Sequence, residues 1–199
     1  IVDILDGHKP DGPFRRHIWR PLREASSKRN EWNEAYTVKL AKLMDELTAG
    51  KAEEYRTIRL IPELAARDKT GHFTKLRLLA VAMNLGNDGN LQRLLQGERW
   101  SEKAVMAVLN RELNAEDWKF VQDVWDLMDS LWPYIVEQER RLTGVIPKRV
   151  ERRSFTTDSG IKMSGGYMPI VYDRERGFKA RQKASGEIYD EDSFSGRPM

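Results

Sequence analysis

A chain of 199 residues with 34 basic and 31 acidic side chains, 40% hydrophobic residues and no cysteine can bury roughly 70% of its unfolded surface without covalent staples. The missing cysteines exclude a disulfide framework, thiolate metal sites and a cysteine nucleophile. The net charge of +3 is too mild to name a partner, and the longest uncharged stretches, 78–87 and 163–172, are ten residues each, far short of a membrane span.

The chain begins at Ile1 with no secretory signal pattern behind it, and the missing start methionine leads us to expect a processed chain or a piece of a longer one. Asp6-Gly7 and Asp11-Gly12-Pro13 are turn signals. Beyond them Phe14, Ile18, Leu22, Ala25, Trp32, Tyr36, Leu40, Leu43 and Leu47 recur at three- and four-residue spacing. That is a helical stripe, interrupted at Arg29 and closed by Gly50, and Pro21 inside it predicts a kink or a fresh start. A short helix is predicted over 52–61. A stronger one covers 73–85, with Leu76, Leu79, Ala80 and Met83 on one face.

Residues 84–90 read as a break, because their glycines and asparagines suit turn or left-handed backbone, and one or two helical turns follow at 91–95. Ser101 is an N-cap for a helix over 102–113, and Asn114 with Asp117 resembles a shortened capping box. The helix opened there is the clearest element. Trp118, Val121, Trp125, Met128, Trp132, Ile135 and Leu142 trace a near-heptad seam that runs to Gly144 and bends at Pro133. The seam of Trp118, Trp125, Met128 and Trp132 is expected to face Tyr36, Leu40 and Leu43.

After Pro147 the grammar changes. The stretches 150–156 and 161–172 are rich in β-branched and aromatic residues, and Asp158-Ser159-Gly160 and Gly165-Gly166 punctuate them, so one or two small hairpins are predicted. Residues 174–199 lack the apolar content to make a core of their own. Their anchors Phe178, Ile188, Tyr189 and Phe194 are the candidate partner contacts, each expected to insert into a groove of the chain's own body or of a second copy, which the tail would then join into an oligomer. The predicted fold class is mainly α: an irregular helical bundle over 1–147, a small C-terminal β-hairpin element over 148–173 packed on it, and an extended polar tail over 174–199.

Catalytic chemistry finds little support. His8, His17 and His72 are not clustered, and no phosphate-cradling G-x-x-x-x-G-K or strand-borne G-x-G-x-x-G occurs. The acidic pairs Glu116/Asp117 and Asp126/Asp129 read as capping and solvated helix faces. No catalytic residue, metal or cofactor is assigned. Two basic clusters stand out. Residues 13–29 carry Arg15, Arg16, Arg20, Arg23, Lys28 and Arg29 against Glu24, with His17 and Trp19 interleaved; residues 140–153 carry Arg140, Arg141, Lys148, Arg149, Arg152 and Arg153 against Glu151. Arg15, Arg16, Arg20, Arg23, Arg149, Arg152 and Arg153 are the candidate nucleic-acid contacts, with aromatic rings to stack on unpaired bases. The competing reading is a solvated surface paired with local acids.

Several phrases in order carry a resemblance. They are Leu5-Asp6-Gly7 with Gly12-Pro13-Phe14-Arg15-Arg16, then Ala82-Met83-Asn84-Leu85-Gly86-Asn87 with Gln92-Arg93-Leu94. Next come Leu113-Asn114-Ala115-Glu116-Asp117-Trp118 with Val121-Gln122 and Trp125-Asp126, and then Gly165-Gly166-Tyr167-Met168-Pro169-Ile170 with Tyr172-Asp173. Over roughly residues 1–173 the set resembles a helical domain of very large, multi-domain polyvalent phage and prophage proteins, including those with PLxRFG-type segments. At 168–173 the chain departs from that motif, with Pro169-Ile170-Val171-Tyr172-Asp173 in its place. The resemblance implies a non-catalytic structural or interaction module of a larger parent protein, delivered with or acting near phage DNA, in the virion or the host cytoplasm. Enzymatic work would then belong to other domains. Expected partners are those domains and, in the alternative reading, DNA.

Overall fold

Residues 2–5 make one helical turn, α1 (Val2–Leu5), and the two turn signals after it return the chain onto the start of the next helix. There the buried Asp6 carboxylate accepts hydrogen bonds from the Phe14 and Arg15 N–H groups at 2.7 and 2.9 Å. Two of the orphan donors of a helix N-terminus are satisfied in this way. The computed structural model describes residues 2–65 and 70–169, and the body below is the unit Ile1–Met168. The tail and its predicted contacts Phe178, Ile188, Tyr189 and Phe194 lie outside the described residues.

A five-residue π-turn, Arg15–Trp19, leads into the long helix α2, Arg20–Thr48. The backbone at Phe14, Trp19 and Arg20 is helical and the Arg20 N–H bonds the Arg15 carbonyl, so the helical path runs unbroken into α2 and Pro21, which has no N–H to give, sits where the π-turn hands over to the α-helix. The helix stops before Gly50, which takes a left-handed φ of 67°. Next, α3 (Ala52–Arg56) is half the predicted length. The chain becomes extended instead, and β1 (Arg59–Leu60) pairs antiparallel with β2 (His72–Phe73), a strand pair absent from the sequence reading.

Thr74 caps α4 (Lys75–Met83) by accepting from the Arg77 N–H at 3.2 Å. The segment 84–90 is mostly the beginning of a helix. After a single 3-10 turn, Asn87 caps α5 (Asp88–Glu98) by accepting from the Asn90 N–H at 2.9 Å. Ser101 caps α6 (Glu102–Glu112), and the Asn114/Asp117 capping box opens α7 (Ala115–Asp129), both where the sequence placed them. The single bent helix expected up to Gly144 is two. Pro133 has no N–H for the Asp129 carbonyl, so α7 ends there and α8 (Trp132–Thr143) begins afresh, closed by Gly144. Finally β3 (Phe155–Thr156) and β4 (Lys162–Met163) form the predicted small hairpin.

The core gathers α3 to α7 and the last hairpin. Trp118 and Trp125 lie at its centre, 1% and 0% exposed. Phe155 of β3 meets both indoles edge-on, with ring centroids at 5.8 and 6.5 Å. The hairpin therefore leans on the helices, as a lone two-stranded element must. Helix α2 runs antiparallel to α7, with Lys51 on Glu116 (2.7 Å) at one end, the Tyr36 and Ser130 hydroxyls 3.0 Å apart, and Trp32 on Tyr134 (centroids 4.4 Å) beyond them. This corrects the expected seam. The two buried tryptophans face α4 and the hairpin, not α2; Met128 and Trp132 are half-buried, and Leu40 is 38% exposed.

Candidate interaction surface

Three of the phrases that carry the resemblance converge on one junction. The Gly86 carbonyl accepts from the N–H groups of Arg153 and Gly166, both at 2.9 Å. The Asn90 side chain donates to the Met168 carbonyl at 2.7 Å, and the Ser164 N–H donates to Gln122 Oε1 at 3.0 Å. The Trp125 indole N–H donates to the Met83 carbonyl at 3.0 Å. A Cβ at Gly86 would stand 2.5 Å from the Gly166 carbonyl oxygen and 2.6 Å from Trp125 Cε2, so only glycine lets these strands approach. The junction is closed packing. It fastens residues 153–168 to the helical body and leaves no room for a ligand.

A second polar centre was not foreseen. Lys75, at the start of α4, is 2% exposed and bonds Asp117 Oδ2 and Glu54 Oε1, both at 2.8 Å. The fully buried Asp117 also accepts from the Tyr55 hydroxyl at 2.8 Å and from the Asn114 N–H at 2.8 Å. Burial works against the Lys75 charge, but the hydrogen bonds to Asp117 and Glu54 outweigh it and hold the ammonium above its ordinary pKa. Burial, and then bonding to the carboxylate, pushes the Tyr55 hydroxyl up. Every charge in this cluster has partners, and Lys75 and Asp117 are closed to solvent. The network pins α3, α4 and α7 together. Asp117 was legible as a cap, whereas the partner that makes it an ion pair, Lys75, lies forty-two residues away in sequence. Among the described residues no group of three or more His, Cys, Asp or Glu side chains is placed to hold a metal ion.

The candidate nucleic-acid contacts are mostly matched with carboxylates. Arg15 pairs with Asp3, Arg16 and Arg20 pair with Asp11 at 3.2 and 2.9 Å, and Arg149 pairs with Asp129 at 2.6 Å. Arg152 shares Asp129 with it, and Arg153 spans Asp88 (3.3 Å) and Glu102 at the starts of α5 and α6. Arg23 has no ion pair among the described residues, nor have Lys28, Arg29, Arg140, Arg141 and Lys148. The sequence clusters thus contain compensated cations near the body and uncompensated ones along α2 and after the middle of α8.

Those uncompensated cations share their helices with bare apolar side chains. All residues from 16 to 31 are exposed, and among the described residues α8 contributes nothing buried. Ile18 in the π-turn and Leu22 on α2 are 46% and 59% exposed; Ile135 and Leu142 on α8 are 43% and 72% exposed. Trp19 lies open beside Arg15, Arg20, Arg23 and Glu24, which together line a shallow surface depression. An amphipathic helix usually turns its apolar stripe to a core. Here two helices keep theirs uncovered on the outside of the body. No described helix is long and apolar enough to cross a membrane. Compared with known proteins, the chain matches no family model, no curated protein and no solved structure.

Proposed function

We propose that this chain is a non-catalytic interaction module of a larger phage or prophage protein, working in the virion or the host cytoplasm, and that its contact surface is the outer half of α2 together with α8. The carrying observation is that residues 16–31 are all exposed and that α8 contributes no buried residue. A monomer gains nothing from keeping Ile18, Leu22, Ile135 and Leu142 in water, and grouped apolar side chains on a surface mark contact sites. The phage setting rests on the resemblance of residues 1–173 alone. Amine-reactive crosslinking of the parent protein in its native assembly tests the reading. Lys28 and Lys148 are expected to link to residues outside this chain. Links confined to the chain itself would refute it.

The second reading, nucleic-acid contact, is favoured by the cations Arg23, Lys28, Arg29, Arg140, Arg141 and Lys148, which have no ion pair among the described residues, and by the open Trp19 ring beside Arg23. Six of the seven arginines first assigned to phosphates must leave a carboxylate to bind one. Where three uncompensated cations neutralise duplex phosphates, the slope of log affinity against log salt is expected to be about −3. Absence of binding to single- and double-stranded DNA at low salt would remove this reading.

A further inference from the structure

Among the described residues the longest stretch without helix or strand is 145–154, ten residues between α8 and β3. All of it is exposed except Pro147 and Arg153, which are half-buried. From Ile146 to Arg152 no backbone N–H or C=O has a hydrogen-bond partner among the described residues. Pro147 has no N–H to offer and keeps Ile146 out of helical backbone. The stretch carries two adjacent basic pairs, Lys148-Arg149 and Arg152-Arg153, and the structure treats their members differently. Arg149 and Arg152 both reach Asp129 at the end of α7, and the Arg149 guanidinium lies over the Trp132 ring, 5.7 Å from its centroid. Arg153 is held by Asp88 and Glu102. Lys148 is exposed and has no ion pair among the described residues.

We infer that this stretch is a processing site, cut after Lys148 by an endoprotease whose specificity pocket takes a basic side chain, and that Asp129 keeps Arg149 and Arg152 from the same enzyme. A protease pairs with the backbone of its substrate as with an added strand, and 146–152 presents that backbone unpaired. The open cations of α2 and α8, such as Lys28, Lys42 and Arg140, lie in helical turns that must unwind before a protease can take them. In the reaction the Lys148–Arg149 peptide bond is hydrolysed. Water supplies hydroxyl to the Lys148 carbonyl carbon and a proton to the departing nitrogen, leaving a carboxylate on Lys148 and a new amino terminus on Arg149. The C-terminal piece stays in place. The Arg153 and Gly166 N–H groups hold the Gly86 carbonyl, Asn90 holds the Met168 carbonyl, and Phe155 packs on both buried tryptophans. What changes is α8, which keeps its covalent link to the body through α7 alone.

Limited digestion of the full 199-residue chain tests this, with trypsin and with a lysine-specific and an arginine-specific endoprotease as probes. Intact mass locates each cut, and native gel filtration shows whether the pieces stay together. Among the bonds within 2–65 and 70–169, the first cut by trypsin and by the lysine-specific enzyme is expected after Lys148. Its two pieces should co-elute and separate only in denaturant. Lys148→Gln lies on the surface and should slow lysine-specific cleavage of those residues about tenfold or more. Asp129→Asn frees both arginines and should speed arginine-specific cleavage after Arg149 and Arg152 about fivefold or more. Cleavage elsewhere in the body should not rise with it, which separates release of the arginines from a loosened fold. A first cut inside a helix of the body, resistance of 145–154 to all three enzymes, or pieces that part without denaturant would each overturn the inference. So would arginine cleavage that ignores Asp129→Asn, or that rises equally at every basic residue.

Discussion

Trp125 ties α7 to α4, to the Gly86 turn and to the C-terminal hairpin. Its indole N–H holds the Met83 carbonyl, its ring packs on Gly86 and Gly166, and Phe155 stands edge-on against it. Trp125→Ala opens a large cavity and orphans that carbonyl, so a loss of about 3–5 kcal/mol is expected in denaturant unfolding. Gly86→Ala tests the same junction from the other side. The added methyl has no space beside the Gly166 carbonyl and Trp125, and about 1–3 kcal/mol of destabilisation should follow. Lys75→Met removes one member of a buried pair while Asp117 stays charged among its remaining donors. A loss of about 3 kcal/mol is expected, at the low end for such breaks because the Tyr55 hydroxyl and the Asn114 N–H still serve the carboxylate.

At the level of elements, proline and the caps decide where helices begin and end. Ser101, Asn87, Thr74 and the Asn114/Asp117 box each satisfy a specific orphan N–H. Pro133 separates α7 from α8 and so sets the direction in which α8 leaves α2. Pro133→Ala restores a donor for the Asp129 carbonyl. The two helices should then fuse, raising far-UV helical signal and changing the distance between spin labels at positions 25 and 142; an unchanged distance would show that packing, not the proline, aims α8.

For the molecule as a whole, the polar network makes stability depend on pH at both ends. Glu54 is held below its ordinary range by the hydrogen bond from Lys75, Glu112 by Arg111, Glu63 by Arg111 and Glu116 by Lys51. A depressed carboxylate stabilises the fold above its unfolded value of 4.5, and that contribution is lost as pH falls through the folded value. Lys75 is raised above 10.5 and Tyr55 above 10.0, so their contribution is complete below those values and is lost as pH rises beyond them. Urea midpoints should therefore hold steady between about pH 5 and pH 10 and decline on either side. A midpoint insensitive to pH above 10 would deny the Lys75–Asp117–Tyr55 cluster its stabilising part.

Local chemistry was enough to read the mainly helical class, the caps at Ser101 and Asn114, the stop at Gly144 and the C-terminal hairpin. Each of these depends on residues within a few positions of one another, where backbone hydrogen bonding and side-chain period act directly. The β1–β2 pair escaped notice because two-residue strands have no period to display; their partners meet only across an eleven-residue connection. The segment 84–90 read as a break because asparagine and glycine favour turns, yet packing against residues 153–168 holds it as a cap and helix start. The two basic clusters were visible in sequence, while their compensation was not, since Asp3, Asp88, Glu102 and Asp129 reach them from other elements. Exposure of the outer α2 stripe was likewise undetermined. A sequence stripe specifies that a helix has an apolar face, and only the direction taken by α8 leaves that face in water.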